Sequence, residues 1–444
     1  MTSRRPVRAR RRDHVLFVTG GFPLQGRICV SGSKNAALPI MAASLLTAER
    51  VVLHNVPEVA DTELMREIIH SLGGRTRTLR DGSLSLNSKE IGNHLSDDLG
   101  RRMRASIVLL GALLARTGRA RLPRPGGDDI GARRVEQHIR GLRQMGAEVV
   151  ETKTDFVARA KRLHGARVIF DLPTVTGTEN IMLAAATAEG RTEIFNAARE
   201  PHVQDLARFL QEMGAQVHGA GTDEIVIEGV ERLHGAVHPV VPDYLEAGTY
   251  AIAAAATGGD VTLECSPPDD LTQVLLKLQQ AGADIETGDG MIRIHRNRRW
   301  HLQPVDLSTW VHPGFPTDLQ AQYLALMTQA HGDSIVSEYL FENRFQHVPE
   351  LLRMGARITV HGRDCYIHGP SRLHGIDVLV PDIRSGAALV IAALCARGVT
   401  ELHQTWHVDR GYQDLVGKLT TLGARIERRD PAGHGLPSTK ETYE

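Results

Sequence analysis

Aromatic side chains make up only 4% of the 444 residues, so stacked rings are not the main means of holding bases, drugs or sugars. Cysteine is scarcer still. Cys29, Cys265, Cys365 and Cys395 form no C-x-x-C and no His/Cys cluster at zinc-ligand spacing, which speaks against a disulfide framework or structural zinc and for a reducing cytoplasm. The 21 histidines are scattered, so neither a metal nor a cofactor is expected. No apolar run is long enough to span a membrane, and no signal-peptide stretch follows the arginines between Arg4 and Arg12. Residues 1–16 read as a disordered tail. Net charge is missing too: 52 Lys+Arg stand against 52 Asp+Glu, which removes the global electrostatic case for nucleic acid or an acidic membrane as partner. Any basic site must be local, and no obligate protein partner is expected.

Glycine, by contrast, is plentiful at 43 residues, and its placement is periodic. A helical stretch closes on Gly and a small residue at Leu72-Gly73-Gly74, Met145-Gly146-Ala147, Met213-Gly214-Ala215, Ala281-Gly282-Ala283, Met354-Gly355-Ala356 and Leu422-Gly423-Ala424. These glycines recur at intervals of 68 or 73 residues. Each fits the left-handed residue after a helix C-terminus, with strand-like sequence following. Within the units a small-residue helix also closes on Gly before a new strand, as at Gly190, Gly259 and Gly398. Six units of roughly 70 residues are therefore predicted, each with two helices and about four strands. The Ala/Gly-rich helices suit an interior where helices press on one another, with sheets outside them. The units can pack as two bodies of three around a cleft. The alternative is a tandem array with one function per repeat, although the turns differ too much between units for a shared ligand site.

Several stretches carry possible chemistry. Ser33-Lys34-Asn35 can cap a helix whose free N–H groups face an anion; an ordinary cap with a surface lysine fits the same residues. Arg104 at a helix start is poor company for the dipole unless an anion joins it. Pro123-Arg-Pro-Gly-Gly-Asp128-Asp129-Ile-Gly-Ala-Arg133-Arg134 reads as a mobile lid carrying an acid over a substrate, or as a plain turn. In His312-Pro-Gly-Phe-Pro-Thr-Asp318, the acid at the helix start is a general base or a cap. Arg344, Arg384 and Arg410 each stand beside an acid or turn, where a structural ion pair is the commoner role.

Together and in this order, these stretches resemble the enolpyruvyl transferase family, most closely its MurA type. The carrying residues include Ser31-Gly-Ser-Lys34-Asn35, Met103-Arg104-Ala-Ser, Pro125-Gly-Gly-x-x-Ile-Gly-Ala-Arg133, Thr176-Gly-Thr-Glu-Asn180 and Asn196-Ala-Ala-Arg-Glu-Pro201. Further along come Gly314-Phe-Pro-Thr-Asp318, Phe341-Glu-Asn-Arg344 and Asp409-Arg410-Gly-Tyr412. The resemblance implies an α/β fold, an inside-out α/β barrel of two domains. Residues 17–33 and 245–428 would form domain I. Residues 34–244 would form domain II with the mobile loop 123–134, and 429–444 a C-terminal tail. It also implies a cytoplasmic enzyme that transfers the enolpyruvyl group of phosphoenolpyruvate to a uridine nucleotide sugar such as UDP-N-acetylglucosamine, in peptidoglycan precursor synthesis. By position, Lys34, Arg133 and Arg410 would grip the donor, with Arg104 and Arg384 nearby. Asp128 stands where the family usually has a cysteine proton donor, which implies insensitivity to fosfomycin. Asp318 would take the acceptor proton, and Asn35 would orient the sugar. The resemblance carries substrate contacts also onto Arg134, Val135, Glu136, Gln137, Thr174 and Thr176, and onto Leu340, Arg344 and Asp382.

Three departures fall on the acceptor side: Arg134 itself, the Val135-Glu136-Gln137 segment, and Tyr244 where the family nearly always has Arg. A paralogue acting on another uridine nucleotide, such as the 3′-hydroxyl of UMP in nucleoside-antibiotic assembly, is the runner-up. A silent paralogue with a binding or regulatory role is the alternative from another class, and it would be expected to have lost the acid, the base or the cations.

Overall fold

The computed structural model describes residues 14–430; the arginine-rich start and residues 431–444 lie outside them. Strand pairing already begins at Val15, which faces Arg429 across an antiparallel pair. Residues 15, 16 and 429, assigned to tails from sequence, are therefore strand residues. The reason is local: Leu16 and Val18 are fully buried, giving Val15–Thr19 the face alternation of a half-buried strand.

The six glycines that mark the repeats all lie in the left-handed region, with φ between 84° and 101°. At each, the residue after Gly donates its N–H to a carbonyl five positions back, as in Ala147 to Leu142 and Ala424 to Leu419. This is the Schellman closure that a side chain at that φ would strain.

Each unit contributes one inner and one outer helix. The inner set is Lys34–Ala43, Leu109–Thr117, Val175–Ala185, Tyr244–Thr257, Gln320–Met327 and Ile383–Cys395. All 14 residues of Tyr244–Thr257 and all 8 of Gln320–Met327 are buried; most are small or apolar on every face, with Glu246, Gln320 and Gln322 as large polar exceptions. The outer helices, such as Ala60–Ser71 and Pro201–Glu212, bury one face only. Outside them lie five four-stranded sheets and one three-stranded sheet among the described residues. This is the α/β layering with helices inside, as the alanine-rich segments predict.

Two hydrophobic cores result. One gathers residues 16–30 and 244–426, and the other residues 36–240. The chain passes between them twice, and the two crossings pair: Ser33 donates to the carbonyl of Val241 at 2.7 Å, and Asp243 to that of Ser31 at 2.8 Å.

Parallel pairing of Gln25–Cys29 with Asp260–Glu264 sets Cys29 opposite Glu264. The next residue, Cys265, has its Cα 5.6 Å from that of Cys29, and their sulfurs are bonded. This corrects the expectation of unpaired thiols; Cys365 and Cys395 remain free. Among the described residues, no helix is long and apolar enough to cross a membrane, and no group of three or more His, Cys, Asp or Glu is placed to hold a metal ion.

Candidate active site

The inner helices begin at the cleft between the two cores. Ser33 caps the first, its Oγ accepting from Ala36 N at 3.3 Å. Thr174, Asp243 and Asp382 cap three more, accepting backbone N–H groups of Gly177, of Leu245 and Glu246, and of Arg384 and Ser385. Lys34 N–H donates to Asp243 Oδ2 at 3.3 Å, so the helix starts capped by Ser33 and Asp243 adjoin, and their positive dipole ends favour an anion there.

Asp318 sits in the short turn Thr317–Leu319 that leads into Gln320–Met327. Its Oδ1 accepts from Arg344 at 2.6 Å, and its Oδ2 accepts from the Nε and Nη2 of Arg384 at 3.2 and 3.0 Å. Burial alone would raise this carboxyl, but Arg384, Arg344 and Lys34 outweigh it and hold Asp318 well below the usual carboxylate range. Arg384 also donates to the hydroxyl of Tyr412 at 3.1 Å, and Gln322 joins that hydroxyl to the carbonyl of Asp318. The Asp318 carboxylate is thereby fixed in one orientation. Because its folded value is depressed, Asp318 contributes stability that is fully present above the ordinary carboxyl value of 3.8 and lost as pH falls below it. Denaturant midpoints at pH 7 and pH 3 should therefore fall further in the wild type than in Asp318→Asn.

A second chain of charges crosses the cleft. Lys34 Nζ lies 3.4 Å from Asp61 Oδ2. Arg410 donates from Nε to Asp61 Oδ1 at 2.9 Å and from Nη1 to Asp128 Oδ1 at 2.5 Å. Burial would depress the Arg410 guanidinium, but Asp61 and Asp128 raise it. Arg133 donates to the carbonyl of Asp128 at 2.7 Å, and Arg104 donates to the carbonyl of Arg133. Burial first, and then Arg133, brings Arg104 down to about 10; burial likewise lowers Arg133, with Arg344 and Arg410 adding to it against the pull of Asp128. Cations this crowded and dry favour an anion among them.

The loop bearing Asp128 is docked on the opposite core. Asn343 donates from Nδ2 to the carbonyl of Asp129 at 3.0 Å, Gln346 donates to the same carbonyl, and Ala132 N–H donates to Glu342 Oε1 at 2.7 Å. The loop thus covers the charge cluster.

The other predicted residues are placed less uniformly. Asn35, half-buried, follows the buried Lys34 in the first turn of its helix. Thr176 Oγ1 lies 3.4 Å from Nε2 of His138, a ring that burial and then Arg104 bring down to about 3. Val135 is buried, whereas Arg134 and Glu136 are exposed. The amide of Gln137 is engaged by the backbone of Asp171 and Leu172. Leu340 donates its N–H to Glu338 at 2.8 Å, and both carboxylate oxygens of Asp382 serve its helix cap. Asp61 is the hub that sequence reasoning missed. An acid in a first helical turn is ordinary dipole complementation, so only the fold distinguishes it.

A protein-family model described as EPSP synthase (3-phosphoshikimate 1-carboxyvinyltransferase) matches residues 18–419. A UDP-N-acetylglucosamine 1-carboxyvinyltransferase of Sorangium cellulosum is 48% identical over 417 residues, covering 93% of this chain and 99% of that relative. Among solved structures, the enolpyruvyl transferase NikO of Streptomyces tendae superposes with a TM-score of 0.84 at 25% identity, over 96% of this chain and 100% of that one. An EPSP synthase of Acinetobacter baumannii, with a TM-score of 0.72 at 19% identity, shares the fold over 94% of this chain and 100% of its own.

Proposed function

The chain belongs to the enolpyruvyl transferase family, and from that premise we propose that it transfers the enolpyruvyl group of phosphoenolpyruvate to a sugar hydroxyl of UDP-N-acetylglucosamine, releasing phosphate. The observation that carries the donor half is charge. Across the two chains of charge, the six cations Lys34, Arg104, Arg133, Arg344, Arg384 and Arg410 outnumber Asp61, Asp128 and Asp318, the carboxylates their side chains are paired with. A compact trianion is what such an excess of fixed, dry cations stabilises. The acceptor half is supported by the 48% identity to a transferase named for that nucleotide sugar.

In this reading, Asp318 removes the proton of the acceptor hydroxyl as its oxygen bonds to C2 of phosphoenolpyruvate, and Asp128 gives a proton to C3. The tetrahedral adduct then gives a C3 proton to the Asp128 carboxylate, and the electron pair of that C–H bond forms the vinyl double bond as the C2–O bond breaks and phosphate leaves. Asp128 shares Arg410 with Asp61, so an incoming phosphate or carboxylate that claims Arg410 frees the Asp128 carboxyl over the reacting carbon. The docked loop excludes water from the adduct. Enclosure of two polar metabolites in this way suits a cytoplasmic enzyme of peptidoglycan precursor synthesis.

Exposed Arg134 and Glu136, and Gln137 already bound to backbone, favour a second reading in which the acceptor is a different uridine nucleotide such as UMP. Phosphate release from phosphoenolpyruvate, measured with UDP-N-acetylglucosamine and with UMP side by side, separates them. The first reading predicts kcat/KM at least about a hundredfold higher with UDP-N-acetylglucosamine, since the lost sugar and phosphate contacts together are worth about 3 kcal/mol. Turnover with UMP alone would establish the second, and turnover with neither would remove both.

A further inference from the structure

Beside Asp318, which acts on His202 and Tyr244, part of the wall is neutral rather than charged. Glu179, inside Val175–Ala185, is buried, and its Oε1 has no hydrogen-bond partner among the described residues. The same holds for Glu200 Oε2 and for Nδ1 of His202, a residue only 4% exposed. These groups are neighbours. The charge of Glu200 acts on Glu179, Glu200 accepts from the backbone N–H of His312 across the cleft, and the ring of His202 stacks on that of Tyr244 with centroids 6.4 Å apart and planes 17° from parallel. Asp318 acts on both His202 and Tyr244.

A buried polar atom left without a partner costs about 1–3 kcal/mol. Three in one neighbourhood beside the general base mark a place where something outside the chain completes the hydrogen bonds. The protonation states say what kind of group that is. Burial, with Glu200 adding to it, pushes Glu179 well above the carboxylate range, and burial also raises Glu200. Burial brings His202 down to about 4, lowers His312, and raises the Tyr244 phenol well above its ordinary value. The wall therefore offers neutral donors and acceptors. Arg199 acts on Glu200 and His312, while Lys34 and Arg384 reach His202 and Tyr244 from the Asp318 side.

We infer that Glu200, His202 and Tyr244 are specificity-determining contacts that seat an uncharged ring of the acceptor, bearing hydroxyl or amide groups, against Asp318. This rests on the enolpyruvyl-transfer reading and sharpens it, because a neutral ring completes the hydrogen bonds of these buried groups without bringing a charge that they would have to balance.

Titration of UDP-N-acetylglucosamine and of UMP into the full chain and into Glu200→Gln, His202→Ala and Tyr244→Phe, with steady-state kinetics alongside, tests it. Acceptor Kd and KM should rise about tenfold in Glu200→Gln and His202→Ala, the effect of one lost hydrogen bond, while KM for phosphoenolpyruvate stays within about twofold. Should His202→Ala fail to fold by circular dichroism, His202→Gln, which keeps a hydrogen-bonding group, is expected to bind better than Glu200→Gln. Unchanged acceptor affinity, equal changes for both substrates, or a wild type that binds neither nucleotide overturns the inference. Binding by the wild type without turnover would instead count against the proposed reaction alone.

Discussion

Asp318→Asn is expected to lower kcat/KM by about a hundred- to ten-thousand-fold, the range for loss of a positioned general base. The substitution keeps the shape of the side chain and one acceptor oxygen, enough for Arg344 or Arg384 but not for both, since the two arginines bind different carboxylate oxygens. What is lost is the group that receives the acceptor proton. Two guanidiniums held at 2.6 and 3.0 Å make this carboxylate a weak base in isolation. Its use then depends on those arginines turning toward the bound substrate as the adduct forms, which places Arg344 and Arg384 in the reaction as well. Phosphate release measured under saturating phosphoenolpyruvate checks the loss. Retention of more than a tenth of wild-type kcat would show that another group takes the proton.

Asp128→Ala carries the second large effect, again about a hundred- to ten-thousand-fold in kcat, since protonation of carbon requires a placed acid. The loop should still dock, because Asn343, Gln346 and Glu342 hold its backbone rather than the Asp128 side chain. Asp128→Cys restores an acid at the position and creates a thiol beside Arg410 and Arg133, surroundings that favour the thiolate. Fosfomycin is accordingly expected to leave the wild type active through prolonged incubation and to inactivate Asp128→Cys with time. Time-dependent loss in the wild type, followed by mass, would place the reactive nucleophile elsewhere.

The architecture was open to sequence reasoning because it repeats. Six glycines at near-constant spacing report six helix ends, and a left-handed φ is a local demand that leaves a local mark. Lys34, Arg133, Arg344, Arg384 and Arg410 were legible for a different reason, each standing in a distinctive local string. Asp61 was not, because its partners Lys34 and Arg410 come from two separate parts of the chain. Glu179 and Glu200 lay inside motifs already noticed, and His202 directly after one, yet nothing in a linear string distinguishes a satisfied polar group from an orphaned one. The bond between Cys29 and Cys265 escaped for the same reason: 236 residues separate them, and only the pairing of two strands brings them together. Asp382 shows the converse, since its carboxylate closes a helix start while its neighbour Arg384 holds the base.

Addition of a proton to C3, followed by loss of one of the three hydrogens then on that carbon, is the step on which the account turns, and it leaves a record in the product. The full chain, incubated with phosphoenolpyruvate and UDP-N-acetylglucosamine in deuterium oxide, should yield an enolpyruvyl ether with deuterium in its vinyl group, detected by mass and proton resonance. A product whose vinyl group holds no deuterium would contradict an addition–elimination course, and equal incorporation by Asp128→Ala would contradict the place given to Asp128.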